Sequence, residues 1–409
     1  MGEKQIKLYK LYEGRIKLRC GNYLKNYLVN HMGYKSYKKR YIQETGGITM
    51  RLRGVLILAQ VAVLTLISTS WVFGQNYSSE NLFYLTGSMQ GYESFMKHAD
   101  EISIVCPAAY QIDQYGVITG GVDRRVLETA EKKGVKVMPL FASFNQEGLH
   151  KLLNDMPARA EAIRLMLFYA RKYHYYGWQF DLENMHMTDR DAYTSFYQQT
   201  ADSLHKYGLK ISIAVVKTDQ PAPISGNPAY ARFLYENWRG AVDMPAIAKA
   251  SDFISFMTYD QHTALTPPGP VAGLPWMKKM LNYLLDIGIS PEKISLGIPS
   301  YSDHWYPTWD KQQGAHSTRD EISYAKAKDL LDRYEAKEQW MDDQNVNYAR
   351  WAEGGIFNWL FLENARSFAP KFDLAKEHHL LGISVWVLGT EDPAIWTVLK
   401  KQAKTVRIK

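Results

Sequence analysis

The stretch Tyr176-Gly177-Trp178-Gln179-Phe180-Asp181-Leu182-Glu183-Asn184 decides how the rest of the chain is read. It is short and apolar, and it ends in two acids. Successive side chains of a strand face opposite ways. Gln179, Asp181 and Glu183 therefore share one face, and Trp178, Phe180 and Leu182 share the other. Polar groups on the inner face of a buried strand are costly unless they are bonded or used. Two readings are open at this point. The acids end a strand and are satisfied by backbone or arginine, or they stand at the C-terminal mouth of a parallel barrel, where two carboxyls would share a cleft.

Working outward, seven further runs read as strands: Leu82–Gly87, Ile102–Ala109, Lys136–Phe141, Leu209–Val216, Phe253–Asp260, Ile294–Tyr301 and Gly382–Gly389. Apolar runs separated by helical patterns argue for parallel strands covered on the outside. The helices are clearest beside the quoted stretch. Pro157 suits a first turn, and Ile163, Met166, Leu167 and Ala170 follow at helical spacing. Downstream, Thr188–Asp191 resembles a capping box with Asp in place of Glu. Tyr193, Phe196, Tyr197, Thr200 and Leu204 then share a face, and Gly208 closes the helix. Eight strands with intervening helices predict an α/β fold, a (β/α)8 TIM barrel. A doubly wound sheet is the alternative, but no glycine-rich phosphate loop follows the first strand.

The connection from strand seven to strand eight, residues 302–381, is too long for one crossover helix. It predicts a small α+β insertion on the catalytic face. The expected parts are a helix over Glu321–Lys337, a hairpin of Asn347–Trp351 and Ile356–Glu363 around Gly354-Gly355, and a helix over Asn364–His379.

Catalytic groups of such barrels sit at the C-terminal strand ends. Strand four ends in Asp181 and Glu183, strand six in Met257-Thr258-Tyr259-Asp260, strand seven in Pro299-Ser300-Tyr301, and strand eight carries Trp386. Each alone has a structural explanation, such as a buried tyrosine or a core tryptophan; their joint occurrence in order weakens it. Together they resemble glycoside hydrolase family 18, the chitinase-like enzymes, over roughly residues 80–400. The family signature Asp-x-x-Asp-x-Asp-x-Glu falls on Tyr176, Gln179, Asp181 and Glu183, so its last two acids match and its first two do not. The Met-x-Tyr-Asp element falls on Met257–Asp260 and the sugar-floor tryptophan on Trp386. The closing run Leu388–Trp396 is similar to bacterial members related to spore-cortex and peptidoglycan enzymes.

The resemblance implies a substrate-assisted retaining glycosidase acting on β-linked N-acetylglucosamine glycans, in which the substrate supplies its own nucleophile. It implies Glu183 as acid and then base, Asp181 as orienter of the N-acetyl group, and Tyr259 as hydrogen-bond donor to the acetyl oxygen. Trp386 would lie beneath the sugar, and Gln179, Asp260 and Tyr301 would complete the binding set. With glutamine at 179, Asp181 should ionise more readily than beside a second acid. The rival class is a catalytically inactive, sugar-binding barrel, stacking glycans on Trp305, Trp309, Trp359 and Trp386; retention of Glu183 favours the enzyme. No cofactor and no metal are expected, because His186, His262, His304 and His378-His379 lack ligand spacing. The motifs of zinc peptidases, serine hydrolases and P-loop proteins are missing.

The net charge of +7 belongs to the leader. Residues 1–49 hold eleven Lys and Arg against three Glu, and Arg51 and Arg53 follow, which leaves 75–409 at −3. The basic balance is therefore no argument for a nucleic-acid partner. Residues 50–74 read as a secretory signal: two arginines, the apolar run Gly54–Ile67, and Val72 and Gly74 at the −3 and −1 positions of a cleavage site. The rival is a signal anchor with 1–49 as a basic cytoplasmic tail. On the cleaved reading, 1–49 is an over-extended start. The expectation is an exported monomer spanning 75–409, with one cysteine, Cys106, and an N-acetylated oligo- or polysaccharide as its partner. Membrane contact follows only if the leader is an uncleaved anchor.

Overall fold

In the computed structural model the described residues are 77–218, 229–310 and 314–400. Residues 1–76, on which the expected leader and signal segment fall, lie outside them. Among the described residues, no helix is long and apolar enough to cross a membrane.

The strands, in chain order, are β1 (Glu80–Leu85), β2 (Ile104–Ile112), β3 (Ile118–Gly120), β4 (Lys136–Val137), β5 (Leu140–Ser143), β6 (Gly177–Leu182), β7 (Lys210–Val216), β8 (Phe253–Met257) and β9 (Ile294–Pro299). After them come β10 (Ser302–Asp310), β11 (Gly314–Ile322), β12 (Gln339–Met341), β13 (Val346–Glu353), β14 (Ile356–Leu362) and β15 (Gly382–Trp386). Parallel pairing runs β1–β2–β5–β6–β7–β8–β9–β15 and returns to β1, which closes an eight-stranded barrel with helices between the strands. The predicted (β/α)8 architecture is the one observed, and all eight runs fall on barrel strands.

Departures from expectation have local causes. The third barrel strand is split into β4 and β5 by Pro139, which has no N–H to give the ladder; the carbonyl of Pro139 accepts from Gln179 N instead, at 3.0 Å. Beside the break, the register of β2 shifts between Ala108 and Tyr110. The resemblance to a capping box at Thr188 does not hold. A 3-10 turn, Met187–Asp189, precedes the helix Arg190–His205, and the His186 ring accepts from Thr188 N while also meeting its hydroxyl. Gly208 does close that helix, at φ +70, a left-handed conformation that a side chain would disfavour.

Two apolar layers follow from the alternation within each strand. Trp178, Phe180 and Leu182 point outward into the layer between barrel and helices, where Phe180 packs on Phe196 and Tyr197. Full burial of a side chain such as Phe180 contributes about 2–3 kcal/mol. Trp178 satisfies its ring N–H on the carbonyl of Met166 at 2.9 Å, so its bulk is buried without an orphaned donor. Inside the barrel, Leu82, Tyr84, Ile104, Met138, Leu140 and Phe253 form a smaller apolar plug. Above it lies a polar layer containing Gln179, Ser212 and Ser255.

The insertion is an antiparallel sheet in the order β11-β10-β14-β13-β12. Its hairpin β13–β14 and its helices, Tyr324–Arg333 and Ala365–Glu377, match expectation within a few residues. The long hairpin β10–β11 was not foreseen: its polar sequence carries no apolar alternation, and its N-terminal end falls beside the barrel mouth. One face packs on the helix Tyr324–Arg333 through Leu330, Leu331, Leu360 and Leu362. Register places Asp303, Trp305, Arg319 and Glu321 on the other face.

Candidate active site

At the C-terminal end of the barrel, a cavity of about 250 Å³ is lined by Phe144, Asp181, Glu183, Val216, Lys217, Met257, Tyr259, Asp260, Tyr301, Glu321 and Trp386. Six of the seven site residues expected from sequence meet here. The seventh, Gln179, does not.

Asp181 and Glu183 are aimed into the cavity by strand alternation, two residues apart on β6 and just beyond its end. Asp181 is buried, and its Oδ1 has no hydrogen-bond partner among the described residues. Burial, the charge of Glu183 and a hydrogen bond to the Glu183 carboxyl together lift Asp181 well above the ordinary carboxylate range. Glu183 is lifted to about 7, first by burial, with Lys217 pulling it down and Asp260 pushing it up. The bond from Asp181 favours the ionised form of Glu183 and so places the shared proton on Asp181. The pair thus holds protons at pH values where free carboxyls have lost them.

Gln179 is a correction to the expected binding set. It is fully buried beneath Asp181, with its amide donating to Ser212 and Ser255 hydroxyls at 3.0 Å each and its oxygen 3.4 Å from Cys106 Sγ. Every polar atom of the amide is occupied, so it supports β6 from inside the barrel. Even without a second carboxylate at 179, burial and Glu183 raise Asp181. Tyr176 sits just before β6, at the far end of the strand from the carboxyl pair, near Lys136.

Tyr259 is buried in a small cluster with Val271 and Tyr301, against Met257 and Trp386. Burial raises its hydroxyl well above the ordinary range, so it is protonated and able to donate. Its ring fits because residue 297 is glycine: a Cβ there would lie 2.4 Å from Phe256 O and 3.0 Å from the Tyr259 ring. Asp260 has φ +56, in the left-handed region that aspartate tolerates better than most residues. Its Oδ1 accepts from Tyr301 Oη at 2.7 Å and from Arg319 at 2.8 Å.

Trp386 ends β15, and the peptide to Val387 is cis. Ser300, at the end of β9, fixes this turn three times. Its N–H donates to Trp386 O at 2.8 Å, its hydroxyl donates to Val387 O at 2.9 Å, and it accepts from Val387 N at 2.8 Å. The ring is 5.2 Å from that of Tyr84 and leaves a face on the cavity. Of the other tryptophans, Trp305 is fully buried and unavailable for stacking, whereas Trp309 is exposed.

Sequence reading missed three groups. Lys217 follows β7, and the rule that strand ends carry function would have pointed to it. Arg319 and Glu321 lie on β11; Glu321 lines the cavity and Arg319 reaches Asp260 on its wall only because the insertion folds over the mouth. Arg319 joins Asp260 to fully buried Asp303 at 2.8 Å and to Glu321 at 3.0 Å. Burial pulls the guanidinium pKa down, but Asp303 and Asp260 more than offset it and keep the group charged.

Comparison with known proteins matches residues 90–391 to the model for glycosyl hydrolases family 18. The chain is 26% identical over 329 residues to an uncharacterized glycosylase, YvbX, of Bacillus subtilis, covering 78% of this chain and 90% of that one. It is 29% identical over 305 residues to the cortical fragment-lytic enzyme of the same organism, covering 73% and 67%. Among solved structures, the spore cortex-lytic enzyme SleL of Bacillus megaterium superposes with a TM-score of 0.71 at 21% identity, over 82% of this chain and 76% of that one. A chitinase from Chromobacterium violaceum superposes at 0.68 and 24% identity, over 79% and 98%.

Proposed function

This chain belongs to glycosyl hydrolase family 18, and we propose that it cleaves β-linked N-acetylglucosamine glycans with retention, using the substrate's acetamide as nucleophile. The observation that carries the reading is the carboxyl pair: Glu183 held at about 7 in a cavity, bonded to an Asp181 whose second oxygen is unpartnered. An acid that is half protonated near neutral pH suits general acid–base work.

In the proposed first step, Glu183 gives its proton to the glycosidic oxygen. The bond from that oxygen to C1 breaks, and the acetamide oxygen closes on C1 to form an oxazolinium. Asp181 accepts the acetamide N–H on its free Oδ1, which stabilises the positive ring as it forms. Tyr259 donates to the acetamide oxygen, and Trp386 packs beneath the sugar. In the second step, ionised Glu183 takes a proton from water, whose oxygen adds to C1 and reopens the ring. Six residues from the ends of four strands hold one substrate in one orientation, which is how such barrels gain rate from positioning.

Glu183→Gln is expected to keep folding and glycan binding and to lower turnover at least about a hundredfold. Asp181→Asn is expected to slow turnover on N-acetylated glycans, and the wild type should not cleave glucose-only analogues. Normal hydrolysis by Glu183→Gln, or equal wild-type rates on acetylated and unacetylated sugars, would overturn the mechanism. Equal binding with no cleavage by either protein would move the chain to the sugar-binding class. We further propose export with cleavage after Gly74, from the charged start and apolar run of residues 50–74. N-terminal sequencing of the exported protein tests this, and a chain still beginning at Met1 or Met50 would count against it.

A further inference from the structure

Lys217 is a cation on the cavity wall that the proposed mechanism leaves unused. It follows β7 and lines the same cavity as Glu183 and Asp260. Its neighbours act on it through charge alone: Asp260 and Glu183 favour its ionised form, and Arg239 and Arg319 oppose it. Among the described residues it makes no hydrogen bond or ion pair. Asp260, the acid that favours its charge most, already gives its Oδ1 to Tyr301 and Arg319. Burial draws Lys217 down to about 8, which leaves it mostly charged at neutral pH. An ammonium carries three donors, and a desolvated cation without an acceptor is costly. The cavity therefore offers a cationic site next to the proposed acid, with its donors unspent.

The chemistry of the linkage says which acceptor fits. In a β-1,4-linked glycan the oxygen that Glu183 protonates is O4 of the leaving sugar, and the group on the adjacent carbon is the O3 substituent. In N-acetylglucosamine that substituent is a neutral hydroxyl. In N-acetylmuramic acid it is a lactyl ether ending in a carboxylate. Lys217 and Glu183 line one cavity, so an anionic substituent on a sugar bound beside the proposed acid would meet the ammonium there. We propose that Lys217 binds the free lactyl carboxylate of a muramic acid residue in the leaving position, so that the cavity favours N-acetylglucosaminyl–muramic acid strands already stripped of their stem peptides, whose lactyl groups are no longer amidated, over the uniform bonds of chitin. This rests on the reading of Glu183 as the acid, and it adds the substrate class and the residue that sets it.

The test compares kcat/KM for three soluble substrates of equal length: a muramic acid oligosaccharide with free lactyl carboxylates, its lactyl methyl ester, and a chitooligosaccharide. Each is measured with wild type, Lys217→Met and Lys217→Arg. The wild type should prefer the free acid. Lys217→Met removes the charge that pulls Glu183 down and so changes all three rates together. Beyond that common change it should lose a further factor of about 10–100 on the free acid alone, the scale of a charge-assisted hydrogen bond. Lys217→Arg should retain most of the preference. An equal loss on all three substrates would overturn the proposal, because it would mean that Lys217 acts only through Glu183 or the fold. Wild-type indifference to esterification would overturn it too. If the wild type cleaves none of the three, the hydrolase reading fails and calorimetry decides about Lys217. Tighter binding of free acid than of ester to Glu183→Gln, abolished by adding Lys217→Met, supports the site, and equal binding rejects it.

Discussion

Glu183→Gln should make the protein more stable in a way that depends on pH. In the unfolded chain Glu183 titrates near its ordinary value of 4.5, and in the fold it titrates at about 7. The sign follows from which form the fold disfavours. A carboxyl whose folded pKa is raised carries no cost below 4.5, where it is protonated in both states. Between 4.5 and 7 the unfolded chain releases the proton while the fold retains it, so stability falls as pH rises. Above 7 the cost is complete. The gap of about 2.5 pH units, at about 1.4 kcal/mol each, amounts to about 3 kcal/mol. Glutamine has nearly the same shape and no charge to desolvate, so it escapes that cost. Thermal unfolding of wild type and variant, followed by circular dichroism at pH 4.5 and pH 8, is the assay. The variant's advantage should be near zero at pH 4.5 and about 3 kcal/mol at pH 8, which for a body of this size is a rise in Tm of about 5 °C. An advantage that does not change with pH, or a loss of stability at pH 8, would refute the argument that the site holds this acid protonated.

The same carboxyl should set the alkaline limb of catalysis: kcat/KM on an N-acetylated glycan should decline above pH about 7 as Glu183 loses its proton, and a limb near pH 5 would contradict its burial. Gln179→Glu should shift that limb upward, because a second carboxyl beneath Asp181 disfavours ionisation of the pair; an unmoved limb would show that position 179 is electrostatically remote. Arg319→Met should be costly, about 3–5 kcal/mol by chemical denaturation, since it strips the partner from Asp303, which burial already lifts to about 7 against the pull of that guanidinium. A loss below about 1 kcal/mol would mean that Asp303 simply takes up a proton.

The sequence by itself determined the barrel and most of the cavity wall. Strand alternation in Trp178–Glu183 sends the aromatics outward and both acids inward whatever surrounds them, because the period of two is a property of the backbone. Likewise, once the strands are counted, Tyr259, Asp260, Tyr301 and Trp386 stand at strand ends on the same side of the barrel, because all eight strands are parallel. Only the tertiary structure decided which polar residues face the cavity and which are consumed below it. Gln179 shares its face with Asp181, yet one turn of the pleat deeper its amide meets serines 33 and 76 residues away, and nothing local foretells those partners. The same holds for Arg319, which reaches Asp260 across 59 residues because a polar hairpin without apolar alternation folds over the mouth. It holds also for Lys217, whose lack of a partner among the described residues is visible only in the folded barrel. Hydrogen bonding and desolvation are set by distances through space, and these exist only after the barrel has closed.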